Sequence, residues 1–362
     1  MLISDKIEIH NEKVMIGGKM KKFLTVALSL LMVLALVGCG AKEEAPATDT
    51  PAGETITLTM AEVNPVDGTI CGAMDMAFKE KVEELSGGQI KIDLQGGGVL
   101  GVEADILDGI TGGTGTVDIC RISAFALTSY GTKKAKLLSL PYTFQDRNHF
   151  WAFVDSELGQ EFLDESMELG LGIKSLYYGE EGFRHFFSSE KHPITTPADC
   201  KGLKIRVSND PVMVGMVEGL GGTVSPVSMA EIYQALQNGT IDAAEQPTAN
   251  YLANSFQETG PNLTLDGHTL GAMMTIITEE AWNKLNEEQQ GWVIEAGKYA
   301  SKVCREQSEA KENAALEELK AQGINIIEVT DKTAWQEACS GIVGENIKGY
   351  EDLYQQILDL AK

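Results

Sequence analysis

The stretch GFRHFFSSEKHPITTPADCKGLKIRV, residues 182–207, restarts a strand and helix rhythm in the middle of the chain. GIKSLYY, FRHFFSS and GLKIRVS read as strands, DPVMVGMVEGLG as a helix, GTVSPVS as an extended segment and MAEIYQALQNG as another helix before TIDAAEQPT closes the run. Two of these strands carry an arginine, Arg184 and Arg206. A guanidinium keeps its charge in any protein setting, so within an apolar run it must either snorkel to water or face an anion.

The same rhythm runs upstream. TITLTMAEV alternates as a strand, CGAMDMAFKEKVEEL places Met74, Phe78, Val82 and Leu85 on one helix face, and GGQIKIDLQGGG is a strand bounded by glycines. VEADILDGI reads as a helix and VDICRI as a short strand. Downstream, 278–323 reads as one long charged helix with pairs such as Glu280 and Lys284 four apart, followed by the strand INIIEV and the helix YEDLYQQILDLAK. Alternating strands and helices predict an α/β protein, a mostly parallel sheet with helices on both faces, divided into two lobes.

The 362 residues suit two lobes or one large domain. The formal charge is -24, and the residues before Cys39 carry five Lys against three acids, so the part from Cys39 onward carries -26. Such a polyanion is a poor binder of nucleic acid or of anionic membrane, and any anion it takes up needs a local cluster of cations. The N-terminal KMKK followed by FLTVALSLLMVLALV has the basic and apolar regions of an export signal, with translation expected to begin at Met20 because Asp5, Glu8 and Glu12 do not suit a basic n-region. The apolar run is shorter than the about 20 residues of a comfortable membrane span. Leu36-Val37-Gly38-Cys39 resembles a bacterial lipoprotein cleavage box, which implies cleavage before Cys39 and lipid on its thiol; residues 39–54 then form a flexible tether. Cys71, Cys120, Cys200, Cys304 and Cys339 are scattered without a CxxC pair or a His at metal-ligand spacing, and read as small buried residues; a single bridge stays open.

Two short motifs point elsewhere. Gly96 to Gly101 fits GxGxxG after a strand and before a helix, with Asp118 downstream, but an exported chain has no ready supply of nicotinamide cofactor, so these read as turn glycines and no cofactor is expected. SSEK, Ser188 to Lys191, fits SxxK without the companion motifs of serine acyl-enzymes. No catalytic residue and no metal site is expected.

Taken in order, GGGVLGVEADILDGITGGTGTVDI, LLSLPYTFQDRNHFW, Gly182-Phe183-Arg184, PADCKGLKIRV (Pro197 to Val207) and EIYQALQNGTIDAAEQP (Glu231 to Pro247) resemble the substrate-binding proteins of TRAP (tripartite ATP-independent periplasmic) transporters, from about Thr57 to the C-terminus. The resemblance implies a two-lobed periplasmic-binding-protein-like fold with mixed sheets and a long C-terminal helix spanning both lobes. It divides the chain into lobe I, 55–181 with 271–310, and lobe II, 182–270 with 311–362. It also implies an organic acid anion as ligand, delivery to TRAP membrane permease subunits, Arg206 as the carboxylate clamp and Arg184 as a second cationic contact. Gln246 stands where the family often has Asn, keeping donor and acceptor but reaching one methylene further. Arg121 on VDICRI is expected at the cleft, meeting a second carboxylate or a hydroxyl-rich tail, or else bonded to loop carbonyls; Glu103 accepts sugar hydroxyls or pairs with Arg121. The implied setting is extracytoplasmic, with the lipid on Cys39 as anchor. An ABC-type solute-binding lipoprotein shares fold and lipobox but not the ordered GLKIRV and EIYQALQ segments, and an enzyme is the remaining alternative.

Overall fold

The computed structural model describes residues 55–208 and 210–362; the export signal, Cys39 and the tether lie outside the described residues. Among the described residues nine strands form one sheet: β1 (Ile56–Ala61), β2 (Ile90–Gln95), β3 (Ile119–Ser123), β4 (Ile173–Ser188), β5 (Lys204–Arg206), β6 (Thr223–Val224), β7 (Ala243–Pro247), β8 (Asn262–Thr278) and β9 (Asn325–Glu328). Their order is β2-β1-β3-β8-β4-β7-β5-β6, with β9 also paired to β8. The sheet is mixed rather than mostly parallel, because β8 runs antiparallel to β3 and β4, and β4 antiparallel to β7.

The antiparallel pair β4–β8 holds the molecule together. One end of β8 pairs with β3 and the other with β9, so the two long strands run from a first lobe built on β1–β3 into a second built on β5–β7. GIKSLYY and FRHFFSS, which read as separate strands, are the two halves of β4. Between them the register slips, Glu180 facing Ala272 but Phe183 facing Leu270, an extra residue that bends the strand where the lobes meet. Gly182 takes φ +97 in that bulge, a conformation that disfavours any side chain. β8 gives no alternating signal because it is buried along almost its whole length.

Among the described residues eleven α-helices pack with the sheet: α1 (Ile70–Leu85), α2 (Glu103–Thr111), α3 (Arg147–Val154), α4 (Glu157–Glu168), α5 (Pro211–Gly219), α6 (Ile232–Gln237), α7 (Thr248–Ala253), α8 (Glu279–Lys284), α9 (Glu287–Ala321), α10 (Thr333–Asn346) and α11 (Glu351–Asp359). The stretch read as one helix over 278–323 is broken into α8 and α9 because Asn286 caps α9: its side chain accepts from Gln289 N, and Gln289 reaches back to the Asn286 N–H. α9 crosses both lobes, burying Val293, Ala296, Ala300 and Cys304 in the core of the first and Leu319 in that of the second. In the second lobe, consecutive Phe186 and Phe187 point to opposite faces of the sheet, one packing with Ile205, Met213 and Trp335 and the other with Leu236, Tyr251 and Phe256.

The C-terminal segment also serves both lobes. Trp335 and Cys339 of α10 pack in the second, whereas Tyr354 and Ile357 of α11 join the core of the first, where Tyr354 OH meets Thr143 Oγ1 at 3.1 Å. Residues 311–362 therefore do not all pack with the second lobe, since the amphipathic face of α11 finds its apolar cover across the junction. Among the described residues the five cysteines are free and buried. Burial pushes the Cys200 and Cys339 thiols up to about 12.

Two glycines on α9 test how closely that helix is seated. A Cβ on Gly297 would stand 2.4 Å from the Tyr177 ring, whereas one on Gly291 meets nothing within 4 Å. Gly291→Ala is expected to stabilise by about 0.5–1 kcal/mol through helix propensity, and Gly297→Ala to fall about 1–3 kcal/mol below it through overpacking. Urea unfolding of both variants measures the gap; equal midpoints would show that α9 has room to move off β4.

Candidate functional site

A cavity of about 330 Å³ opens where the lobes meet, at the small end of the roughly 300–1,000 Å³ typical of small-molecule sites. The first lobe contributes Asn64 after β1, the glycine loop after β2, Glu103 at the start of α2, and Arg121 and Ser123 at the end of β3. The bulge and its neighbour strand contribute Glu181, Arg184 and Gln246; the second lobe contributes Arg206, Val207 and Ser208 at the end of β5 and the segment 224–230. The carboxyl ends of β1, β2, β3 and β5 thus face the crevice, the usual place for ligands in α/β sheets. All five residues expected at the site, Arg206, Arg184, Gln246, Arg121 and Glu103, line it.

The three arginines differ in what already holds them. Arg184 is buried with a forked pair of bonds from Nε and Nη2 to Glu245, and its Nη1 donates to Glu181 Oε1 at 2.5 Å. Arg121, 1 % exposed, forks onto Glu62 through Nε and Nη2. Arg206 is 7 % exposed and has no carboxylate within ion-pair distance among the described residues; Nε donates to Val227 O at 2.8 Å and Nη1 is buried without a partner. Burial lowers Arg206 to about 10 against the field of Glu245, and Arg184 adds to the depression.

The carboxylates complete the picture. Glu62 accepts from Asn64 N at 2.6 Å and from Asn64 Nδ2 at 2.9 Å besides holding Arg121. Arg121 therefore pairs with Glu62, not with Glu103 or with loop carbonyls. Glu103 instead accepts from Ser123 N at 3.1 Å, and burial raises it above the usual carboxylate range against the pull of Arg121. Behind Glu62, burial and then the Glu62 charge hold Asp75 well above its ordinary value. Among the described residues the hydrogen-bond partner of Gln246 Nε2 is Met229 Sδ, at 3.4 Å, a weak acceptor that a better one displaces readily. The glycine loop is bonded to its own lobe, Gly97 N donating to Asn64 O and Gly98 N to Glu62 O, so these amides serve the turn.

Sequence reasoning passed over Glu62, Glu181, Glu245 and His268. The signal was present for two of them, since Glu181 precedes Arg184 by three residues and Glu245 precedes Gln246 by one. Glu62 and His268 come near the arginines only through strand pairing. His268 bridges Asp266 Oδ2 at 2.7 Å and Glu245 Oε2 at 3.5 Å.

Burial alone would depress the His268 imidazolium, but Asp266 and Glu245 outweigh it and raise it to about 9. A folded-state pKa raised above the ordinary 6.5 adds stability that is complete below about pH 6.5 and is lost as pH rises through about 9. Unfolding free energy is expected to fall over that window by up to ~3 kcal/mol in the wild type, and His268→Gln to remove that fall. Urea titrations at several pH values decide it; the same slope in the variant would place the loss on another group.

Residues 60–348 match the family model for bacterial extracellular solute-binding protein, family 7. The 2,3-diketo-L-gulonate-binding periplasmic protein YiaO of Escherichia coli K12 is 30% identical over 265 residues, covering 72% of this chain and 78% of YiaO. A TRAP periplasmic solute-binding protein from Pseudomonas putida F1, solved with D-glucuronate bound, superposes with a TM-score of 0.78 at 29% identity, covering 83% of this chain and 96% of that one. One from Sulfitobacter sp. NAS-14.1, with β-D-galacturonate bound, gives 0.76 at 28% identity, covering 84% and 98%. With two lobes joined through long strands and an arginine-bearing cleft between them, this chain belongs to family 7 of the bacterial extracellular solute-binding proteins, the DctP-like substrate-binding proteins of TRAP transporters.

Proposed function

We propose that this protein captures an organic acid anion in the interlobe cavity, with the carboxylate seated on Arg206, and hands it to a TRAP-type permease. One observation carries the reading: Arg206 is a buried guanidinium with Nη1 unpartnered, lining a small cavity in a strongly acidic chain. A fork of charge-assisted hydrogen bonds from a carboxylate supplies what that group lacks. Similarity to proteins solved with glucuronate and galacturonate, and to YiaO, supports a sugar acid as the ligand class. Gln246 and Glu103 are positioned along the same cavity to meet the remainder of the ligand. Arg184 acts from behind, since its guanidinium is bonded to Glu245 and Glu181.

In this reading lobe I (55–181 with 271–310) and lobe II (182–270 with 311–362) close over the ligand by bending at the β4 bulge, with α11 as the piece of the tail that follows the first lobe. The closed form is what the permease recognises. The protein stays at the outer face of the cell membrane through lipid on Cys39.

Arg206→Ala removes one partner of a buried ion pair, a loss of about 2–5 kcal/mol, so affinity for a sugar acid is expected to fall roughly 30-fold to several thousand-fold. Arg206→Lys keeps a point charge without the fork and is expected to lose substantially, while Gln246→Asn shifts ligand preference and leaves the melting curve in place. Calorimetry on all three against D-glucuronate and D-galacturonate tests the assignment; Arg206→Ala binding within about twofold of wild type (below 0.5 kcal/mol) would move the carboxylate to another residue. For the anchor, mass spectrometry is expected to find a lipid-modified N-terminal Cys39, lost in Cys39→Ala, and an unmodified mature start downstream would refute it.

A further inference from the structure

The cavity contains cations and carboxylates in unequal numbers. Arg121, Arg184 and Arg206 line it or back it with three positive charges, against four carboxylates in Glu62, Glu103, Glu181 and Glu245. Further out, His268 stands between Asp266 and Glu245. Two of the three guanidinium groups are neutralised by carboxylates of the protein itself. The end of the cavity near Arg121 is therefore rich in acceptors and short of free positive charge.

A second observation points the same way. Asn64 is 4 % exposed and lines the cavity, and its amide orientation is fixed because Nδ2 donates to Glu62 Oε1. Its Oδ1 is consequently turned away from Glu62, buried and without a donor. An orphaned carbonyl oxygen gains from a hydroxyl and is repelled by a carboxylate. Glu103, an acceptor when ionised, lines the same end.

Building on the reading of Arg206 as the carboxylate seat, we propose that the cavity selects monocarboxylates with a neutral, hydroxylated tail and rejects dicarboxylates, and that Glu62 sets this selectivity by occupying the guanidinium of Arg121. The first carboxylate of a ligand meets Arg206, the one lining cation without a carboxylate partner among the described residues. A second, beside Arg121, meets the Asn64 side chain, Glu103 and an Arg121 whose fork is taken. Discrimination thus comes from repulsion built against the wrong ligand as much as from contacts to the right one. Replacing Glu62 by Gln leaves the shape nearly unchanged, removes one negative charge and makes Arg121 a second anion seat.

The test pairs ligands with the same carbon skeleton: D-glucuronate against D-glucarate, and D-galacturonate against galactarate, titrated by calorimetry at constant ionic strength. In the wild type the uronate is expected to bind at least about 30-fold tighter than the corresponding dicarboxylate, since like-charge juxtaposition costs several kcal/mol. Glu62→Gln is expected to shrink that ratio to within about threefold. The double variant Glu62→Gln, Arg121→Gln, which replaces the ion pair by a neutral pair, is expected to keep the wild-type preference of tenfold or more. A dicarboxylate binding as tightly as its uronate in the wild type overturns the proposal while leaving Arg206 as the carboxylate seat. An unchanged ratio in a folded Glu62→Gln, or a lost preference in the double variant, overturns the role of Glu62. If Glu62→Gln does not fold, the wild-type ratio and the double variant decide. No binding of any of the four acids would overturn the sugar-acid reading itself, and this proposal with it.

Discussion

A guanidinium taken out of water has to be met by an anion, and the middle of this protein takes three of them out of water within one small space. Arg121 and Arg184 are each matched inside the chain, by Glu62 and by Glu245 with Glu181. Matching all three would leave a salt-bridged plug between the lobes. Among the described residues Arg206 has only the Val227 carbonyl as a hydrogen-bond partner, so the junction carries one guanidinium without a matching carboxylate. The two matched arginines then act as rigid walls, because breaking either fork would strand a buried carboxylate at a cost of about 3–5 kcal/mol.

The junction itself rests on the same kind of pairing. Glu180, at the bulge in β4, receives Arg147 Nη1 at 2.8 and 2.6 Å and Ser308 Oγ at 2.6 Å, while Arg147 Nη2 reaches Glu312. Helix α3, strand β4 and helix α9 are therefore pinned at one point. Gly182, in the bulge beside that pinned point, holds a positive φ that disfavours any side chain.

What the sequence made legible follows physical rules that differ from element to element. α1 could be read because Met74, Phe78 and Val82 are buried on one face, and β1 and β2 because they alternate. β8 could not, because burial along most of its length erases alternation, and missing it hid the antiparallel centre of the sheet. The break between α8 and α9 was written in Asn286 and Gln289 but overshadowed by the charge pattern around it. At the site, Arg206 stood out as a cation in an apolar strand, whereas the status of Arg121 depended on Glu62, 59 residues away in sequence and brought close by the pairing of β1 with β3. Which cation is free is a tertiary fact, invisible to any local pattern.

The five buried free thiols bear on how the chain reaches this state. Once folded, Cys200 and Cys339, pushed up to about 12 by burial, present little thiolate at neutral pH, and packing keeps oxidants from all five. A family member works outside the cytoplasm, where thiols are prone to oxidation, and a newly exported chain exposes these same sulfurs with ordinary reactivity. Disulfide formation takes seconds to hours, so the thiols set a clock: the sheet has to close over them before chemistry joins the wrong pair. Closure of the sheet over these five sulfurs is then what keeps them reduced.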